Sequence, residues 1–259
     1  MGRTGQPTPP TFVGLAAHPV RWRLMTELAT SDLRVRELVH RVGRPQNLVS
    51  YHLRQLRAGG LVSAGRSSFD GRDSYYHLDL DRCGQALTAA GLGLHPSLGS
   101  GASATPLPEF DRSPPAVLFV CTGNSARSPI AEALLRHRTE GRVEVLSAGS
   151  KPKPRIHPDA VRVLRDDYDI DISAQRTRHL DTLAGHRFDH VVSLCDKARE
   201  ACPEFPDRPR LVHWSIPDPA SADDADAPGR PAFRRTAAEI DTRIRHLIPV
   251  LARAQEAQP

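Results

Sequence analysis

Cysteine is scarce in this chain: there are four in 259 residues, at positions 83, 121, 195 and 202. That is too few for a disulfide scaffold and fits a reducing compartment in which thiols stay reactive. The two nearest, Cys195 and Cys202, have six residues between them, which does not match a CxxC zinc spacing. No apolar run approaches the ~20 residues of a membrane span. The opening MGRTGQPTPPTF lacks the apolar stretch of a signal peptide. A cytoplasmic protein with no membrane partner is the expectation, and no internal repeat is visible. Lysine is absent from residues 1–100, where 12 Arg stand against 7 Asp or Glu, a net +5. In the rest of the chain 23 basic and 23 acidic side chains cancel. All the excess positive charge therefore lies in the first part, which points to an acidic polymer, most simply duplex DNA. The length allows two domains, each able to bury a core.

Residues 1–11 are polar and Pro-rich and read as disordered. From Ala17, the positions Val20, Leu24 and Leu28 recur at helical spacing. Val35, Leu38, Val39 and Val42 form a short second helix, stopped at Gly43 and Pro45. A third helix runs from about Gln46, with Leu48, Val49, Leu53 and Leu56 as its apolar face, and Gly59–Gly60 end it. Two β segments follow, 61–66 and 74–80, joined by the hairpin signal Phe69–Asp70–Gly71–Arg72. This order is that of a winged helix-turn-helix. Its third helix would enter the major groove, with Gln46, Asn47, Ser50, Tyr51 and Arg54 available to base edges and phosphates. Arg66 and Arg72 flank the hairpin tip, where a wing meets the DNA backbone. Cys83 reads as a packing thiol, since one thiol is a poor soft-metal site. After residue 90, Gly, Ser and Pro dominate as far as Pro115, a linker composition, although part of 87–94 can belong to a last helix used for pairing.

The stretch VLFVCTGNSARSPIAE, residues 117–132, organises the second part. Four apolar residues form a buried strand, and a cysteine follows at its end. Next comes a small polar loop, and then a helix with Pro129 at a first helical position. The loop amides of Thr122, Gly123, Asn124, Ser125 and Ala126, with the helix dipole behind them, make an anion cradle. Arg127 adds a planar fork for two oxygens of a tetrahedral oxyanion. The same positive field favours the Cys121 thiolate as nucleophile. Strands at 143–147, 188–194 and 211–214 alternate with helices, and an amphipathic helix around 233–247 closes the pattern, with Pro249 marking a kink or its end. That alternation reads as an α/β domain with a parallel sheet, whose nucleophile loop lies at a strand's carboxyl end. Asp218-Pro219 could supply a general acid, and could equally be a plain turn. Cys195 and Cys202 on a helix would stand about 10 Å apart at ~1.5 Å per residue. A disulfide needs Cα atoms within roughly 7 Å. Bridging them requires the segment to unwind.

Two resemblances follow from these residues. Residues 12–95 resemble the ArsR family of winged-helix repressors, through His18-Pro19, Val35–Val42, the run Ser50 to Leu56 with Gly59-Gly60-Leu61-Val62, and Tyr75-Tyr76-His77-Leu78. The resemblance implies a dimer that releases operator DNA on binding an inducer. The arsenic-sensing branch carries a cysteine pair in the short helix before the turn, where this chain reads Leu33–Arg34–Val35–Arg36–Glu37. With 96–115 as linker, residues 116–252 look like the arsenate reductases of the low-molecular-weight tyrosine phosphatase fold. The match rests on Cys121 to Ser128, Ser147-Ala148-Gly149, Asp171-Ile172-Ser173, Phe188 to Val192, Cys195 with Cys202-Pro203, and His213-Trp214 leading to Asp218-Pro219. Related phosphatases lack the downstream cysteine pair and usually carry Tyr where this chain has Ala220. The resemblance implies that Arg127 and the loop hold arsenate, Ser128 steadies the Cys121 thiolate and Asn124 shapes the loop. Cys121 would attack arsenic, Asp218 would protonate the departing oxygen, and Cys195 and then Cys202 would carry the disulfide onward. No metal or bound cofactor is implied, only an external dithiol such as thioredoxin. The alternatives are a phosphatase fused to a regulator, and a repressor that uses its second domain only to sense an oxyanion.

Overall fold

The computed structural model describes residues 9–95, 98, 114–200, 205, 208–221 and 230–256. The chain divides into two compact units, with the main boundary at Pro106–Leu107. Among the described residues no helix is long and apolar enough to cross a membrane.

The first unit opens with α1 (Thr11–Ala16), a six-residue helix too short to show in the spacing of apolar residues, which buries Phe12. In α2 (Pro19–Leu28) the His18 Nδ1 accepts the Val20 N–H at 3.2 Å, and Pro19 sits where no amide partner is needed. A two-residue strand, β1 (Leu33–Arg34), leads into α3 (Val35–Val42). The Glu37 carboxylate accepts the Arg34 N–H at 2.8 Å and fixes the start of α3, while Gly43 ends it at φ +65°. Pro45 then precedes α4 (Gln46–Ala58). Strands β2 (Val62–Arg66) and β3 (Ser74–Leu78) form the hairpin, and β1 pairs with β3 to give an antiparallel sheet in the order β1-β3-β2. The core is Leu24, Leu28, Leu33, Leu38, Val49, Leu53, Leu56, Leu61, Val62 and Leu78. The strand expected to reach Leu80 stops at Leu78. Asp79 accepts the Arg82 N–H at 2.9 Å and caps a 15-residue helix, α5 (Leu80–Leu94), much longer than the 87–94 expected. Cys83 lies buried on its inner face.

The second unit is a four-stranded parallel sheet in the order β5-β4-β6-β7. Its strands are β4 (Ala116–Cys121), β5 (Glu144–Gly149), β6 (His190–Ser193) and β7 (Arg210–His213). Strand β4 is central, and the chain turns to one side of it for β5 and to the other for β6. The carboxyl end of β4 is therefore the topological switch point, where open α/β sheets hold ligands. Val117 to Val120 are all fully buried, which is why they read as a continuous apolar run. Helices α6 (Arg127–Arg138), α7 (Pro158–Tyr168) and α9 (Arg230–Glu256) pack together, while a short α8 (Asp196–Glu200) rests on β4 and β6. Helix α6 begins at Arg127, so Pro129 is its third residue rather than its first. Helix α9 does not end at Pro249 but runs through it, with Ile248 and Leu251 buried on either side. Packing there outweighs one lost backbone hydrogen bond.

Candidate active site and nucleic-acid interface

Cys121 is the last residue of β4, buried, and in register with Gly149 of β5. The loop after it is held by its carbonyls. The Ser150 N–H donates to Cys121 O (3.3 Å), Lys151 N–H to Thr122 O (2.8 Å), Lys153 N–H to Gly123 O (2.9 Å) and His157 N–H to Ser125 O (2.8 Å). With its carbonyls engaged by this 150–157 strap, the loop turns its amides the other way. Among the described residues the Asn124 N–H donates to the Cys121 sulfur at 3.2 Å. Convergent loop amides beside the N-terminus of a 12-residue helix favour an anion. Gly149 lets the loop approach: a Cβ there would stand 2.6 Å from Thr122 O and 2.9 Å from Asn124 N.

Asn124 adopts the left-handed conformation, φ +43°, which asparagine tolerates better than most residues. Its side chain clamps the turn. Oδ1 accepts the Arg178 N–H at 2.6 Å, which places Nδ2 on the other side, donating to Ser128 Oγ and Ser147 Oγ at 2.9 Å each. Because Ser128 Oγ accepts from Asn124, its own hydrogen is free to point at the Cys121 sulfur, 3.0 Å away. A hydroxyl donating there stabilises a thiolate. The Arg178 guanidinium donates to Ser147 O at 3.1 Å and ties the same corner to β5.

Arg127 is buried and donates from one terminal nitrogen to Ile216 O at 2.9 Å. Its other terminal nitrogen stands 3.3 Å from the half-exposed Asp218 carboxylate. Its Nε is buried with no hydrogen-bond partner among the described residues, a donor of the kind an oxyanion would satisfy. The structure thus brings together Cys121, Arg127, Ser128 and Asp218, which the sequence separates by up to 97 positions. It also brings Cys195 to the loop: its buried sulfur is 3.3 Å from Thr122 Oγ1. Cys202 lies outside the described residues.

The residue after Cys195 is anchored by His213 and Ser215 and, through His213, by Ser193. Asp196 Oδ1 accepts from His213 Nε2 at 3.1 Å and from the Ser215 hydroxyl at 2.8 Å, and His213 Nδ1 lies 2.8 Å from Ser193 Oγ. Asp196 and His213 are both buried. Among the described residues no group of three or more His, Cys, Asp or Glu side chains is placed to hold a metal ion.

In the first unit, Gln46, Asn47, Tyr51 and Arg54 lie on the exposed side of α4 and Ser50 at its edge, opposite buried Val49, Leu53 and Leu56. Leu48 is only partly buried, and its expected place in the core goes to His52, which is buried with its ring tilted against that of His18 at 4.3 Å between centroids. Burial first, then the charges of His18 and Arg21, push the His52 pKa down. Arg66 and Arg72 are exposed at the two sides of the hairpin tip. Cys83 sits in the core, where burial and the nearby Asp79 push its thiol up to about 11.

Comparison with known proteins agrees with both units. Residues 116–257 match the family described as low molecular weight phosphotyrosine protein phosphatase, and residues 18–64 match bacterial regulatory protein, arsR family. An arsenate reductase of Halalkalibacterium halodurans is 36% identical over 129 residues, covering 50% of this chain and 91% of its own. One of Shouchella clausii is 37% identical over 131 residues, covering 50% and 91%. Among solved structures, an arsenate reductase of Archaeoglobus fulgidus is 29% identical, covering 51% of this chain and 98% of its own, at a TM-score of 0.42. With more than half of its length matched and the nucleophile loop in place, the chain belongs to the low molecular weight phosphotyrosine protein phosphatase family, joined to an arsR-family regulatory region on its N-terminal side.

Proposed function

We propose that the chain is a bifunctional arsenic-resistance protein, a DNA-binding regulator over residues 12–95 joined through 96–115 to an arsenate reductase over 116–252. The observation that carries this is the second thiol. Cys195 lies against Thr122, the residue next to the nucleophile, and hydrolysis of a phosphoester has no use for it. Arsenate enters the loop, where the amides of residues 122–128 and the Arg127 guanidinium hold its oxygens. The Cys121 thiolate attacks arsenic and displaces one oxygen, which takes a proton from Asp218 and leaves as water. The Cys195 thiolate then attacks the Cys121 sulfur. The sulfur–arsenic bond breaks, arsenic keeps the electron pair and departs as arsenite, and a disulfide joins 121 to 195. Cys202 attacks Cys195 and releases Cys121, and an external dithiol protein, thioredoxin, reduces the resulting disulfide. Such a cycle belongs in a reducing cytoplasm and needs no metal or bound cofactor.

The regulator reads DNA with Gln46, Asn47, Ser50, Tyr51 and Arg54 and steadies it with Arg66 and Arg72. It acts as a homodimer, for which the exposed Leu87, Leu92 and Leu94 of α5 offer apolar surface. The phosphatase reading is favoured by one observation, the Arg127–Asp218 pair, which serves a phosphoester equally well. Turnover of arsenate with a thioredoxin system, measured beside hydrolysis of an aryl phosphate, decides between them. Hydrolysis without arsenate reduction would replace the proposed activity.

A further inference from the structure

His213, the last residue of β7, lies outside the oxyanion loop, yet its buried ring spans the turn that carries Cys195. On one side of that turn, Nδ1 stands 2.8 Å from Ser193 Oγ and 3.2 Å from Ser193 O. On the other side, Nε2 donates to Asp196 Oδ1 at 3.1 Å. With anchors at 193 and 196, the imidazole brackets Leu194 and Cys195. Backbone bonds hold the near end of the turn: Leu194 N–H donates to Val120 O at 2.7 Å and Trp214 N–H to Ser193 O at 2.9 Å. Past Cys195 the chain enters α8, which has five residues. So short a helix is not stable by itself and keeps its place through its surroundings. The carboxylate of its first residue is one such tie, since Asp196 Oδ1 is engaged by both His213 and the Ser215 hydroxyl, the latter at 2.8 Å. Apolar residues of similar volume would often serve stability as well as a buried acid–histidine pair. The pair adds what they lack, a fixed distance and direction.

We infer that His213 is a positioning residue for the second thiol: by holding Asp196 it keeps the Cys195 sulfur at its station 3.3 Å from Thr122 Oγ1, ready for the sulfur of Cys121. This rests on the reductase reading. The step served is the one in which the Cys195 thiolate attacks the Cys121 sulfur, the sulfur–arsenic bond breaks, and arsenic leaves with the electron pair as arsenite. Anion binding and the attack by Cys121 come earlier. They draw on the loop, Arg127 and Asp218 and have no use for Cys195. Losing the bond from His213 to Asp196 should therefore slow disulfide formation and leave the loop as it was. A displacement of about 1 Å can cost ~100-fold in rate.

The test is a single turnover of the full-length protein, in excess over arsenate and without a reducing partner, with the release of arsenite timed. His213→Gln places an amide nitrogen where Nε2 stands and retains the donor to Asp196. His213→Asn places one where Nδ1 stands, retains the Ser193 side and loses the bond to Asp196. Release is expected to be about 100-fold slower in His213→Asn and within about threefold of wild type in His213→Gln. Phosphate affinity by calorimetry and the rate of Cys121 alkylation, followed by mass spectrometry, should match wild type in both. Equal release by all three proteins would overturn the proposal. Equal slowing in the two variants would do the same, because the reach to Asp196 would then decide nothing. Loss of phosphate binding or of Cys121 alkylation in His213→Asn would also overturn it, by showing a general structural role. Wild-type protein that binds phosphate yet releases no arsenite would instead remove the reductase reading, and this proposal with it.

Discussion

Replacing Gly149 by alanine tests whether the nucleophile loop owes its shape to the end of β5. The added Cβ would meet Thr122 O at 2.6 Å, Asn124 N at 2.9 Å and Asn124 Cβ at 3.0 Å. Two of these are backbone atoms, so no side chain can rotate out of the way. Comfortable contact lies near 3.5 Å, so the loop must withdraw by something on the order of 0.9 Å. Overpacking of this kind costs about 1–3 kcal/mol, which for a chain of this size lowers Tm by roughly 2–12 °C. The effect on activity should be disproportionate, because misplacing reacting groups by about 1 Å can cost ~100-fold in rate. The assay pairs arsenate turnover with thermal unfolding of the same preparation. The expected result is a folded protein, with Tm lowered within that range and kcat/KM reduced about 100-fold. Activity within about threefold of wild type in a folded Gly149→Ala protein would refute the argument that this contact sets the loop geometry.

Three further outcomes follow from the two-unit organisation. Cys121→Ser should abolish arsenate turnover yet leave operator binding, read by gel shift, unchanged. Arg54→Ala with Arg72→Ala should weaken DNA binding and flatten its dependence on salt by about one unit of slope per lost phosphate contact. An unaltered slope would place the DNA elsewhere. Cys83, with its thiol pushed up to about 11 by burial and Asp79, should resist alkylation near pH 8 in the native protein and react on unfolding. Because its folded pKa is raised, the stability it contributes is intact below the ordinary thiol value of ~8.5 and declines as pH climbs from there towards 11. Cys83→Ala should blunt that alkaline decline.

Much of the site was legible because its signals are local. A parallel strand buried on both faces is a continuous apolar run, and Val117 to Val120 with the cysteine, the small-residue loop and the helix start behind them show it directly. The remainder depends on contacts that residue types do not advertise. The strap at 150–157 holds the loop through backbone amides, which any non-proline residue could supply. Arg178 likewise acts on Asn124 through its N–H. His52, a polar residue between apolar neighbours, is buried with its ring 4.3 Å from the tilted His18 ring, a contact that no periodicity of apolar residues marks. Helix α5 was underestimated because Gly84, Gly91 and Gly93 weaken the helical signal, whereas the Asp79 cap and the packing of Cys83 sustain the helix. Strand β1, two residues long, has no periodicity to detect, and its pairing with β3 is visible only in three dimensions.

The central claim is that the second thiol makes this loop a reductase. In Cys195→Ser the nucleophile, Arg127 and Asp218 are untouched, so any hydrolysis of an aryl phosphate should continue at the wild-type rate. Multiple-turnover reduction of arsenate should cease, because no thiol stands ready to take sulfur from the arsenic adduct on Cys121. Mass spectrometry after a single exposure to arsenate should show no disulfide between 121 and 195. Full arsenate turnover in Cys195→Ser would contradict the account.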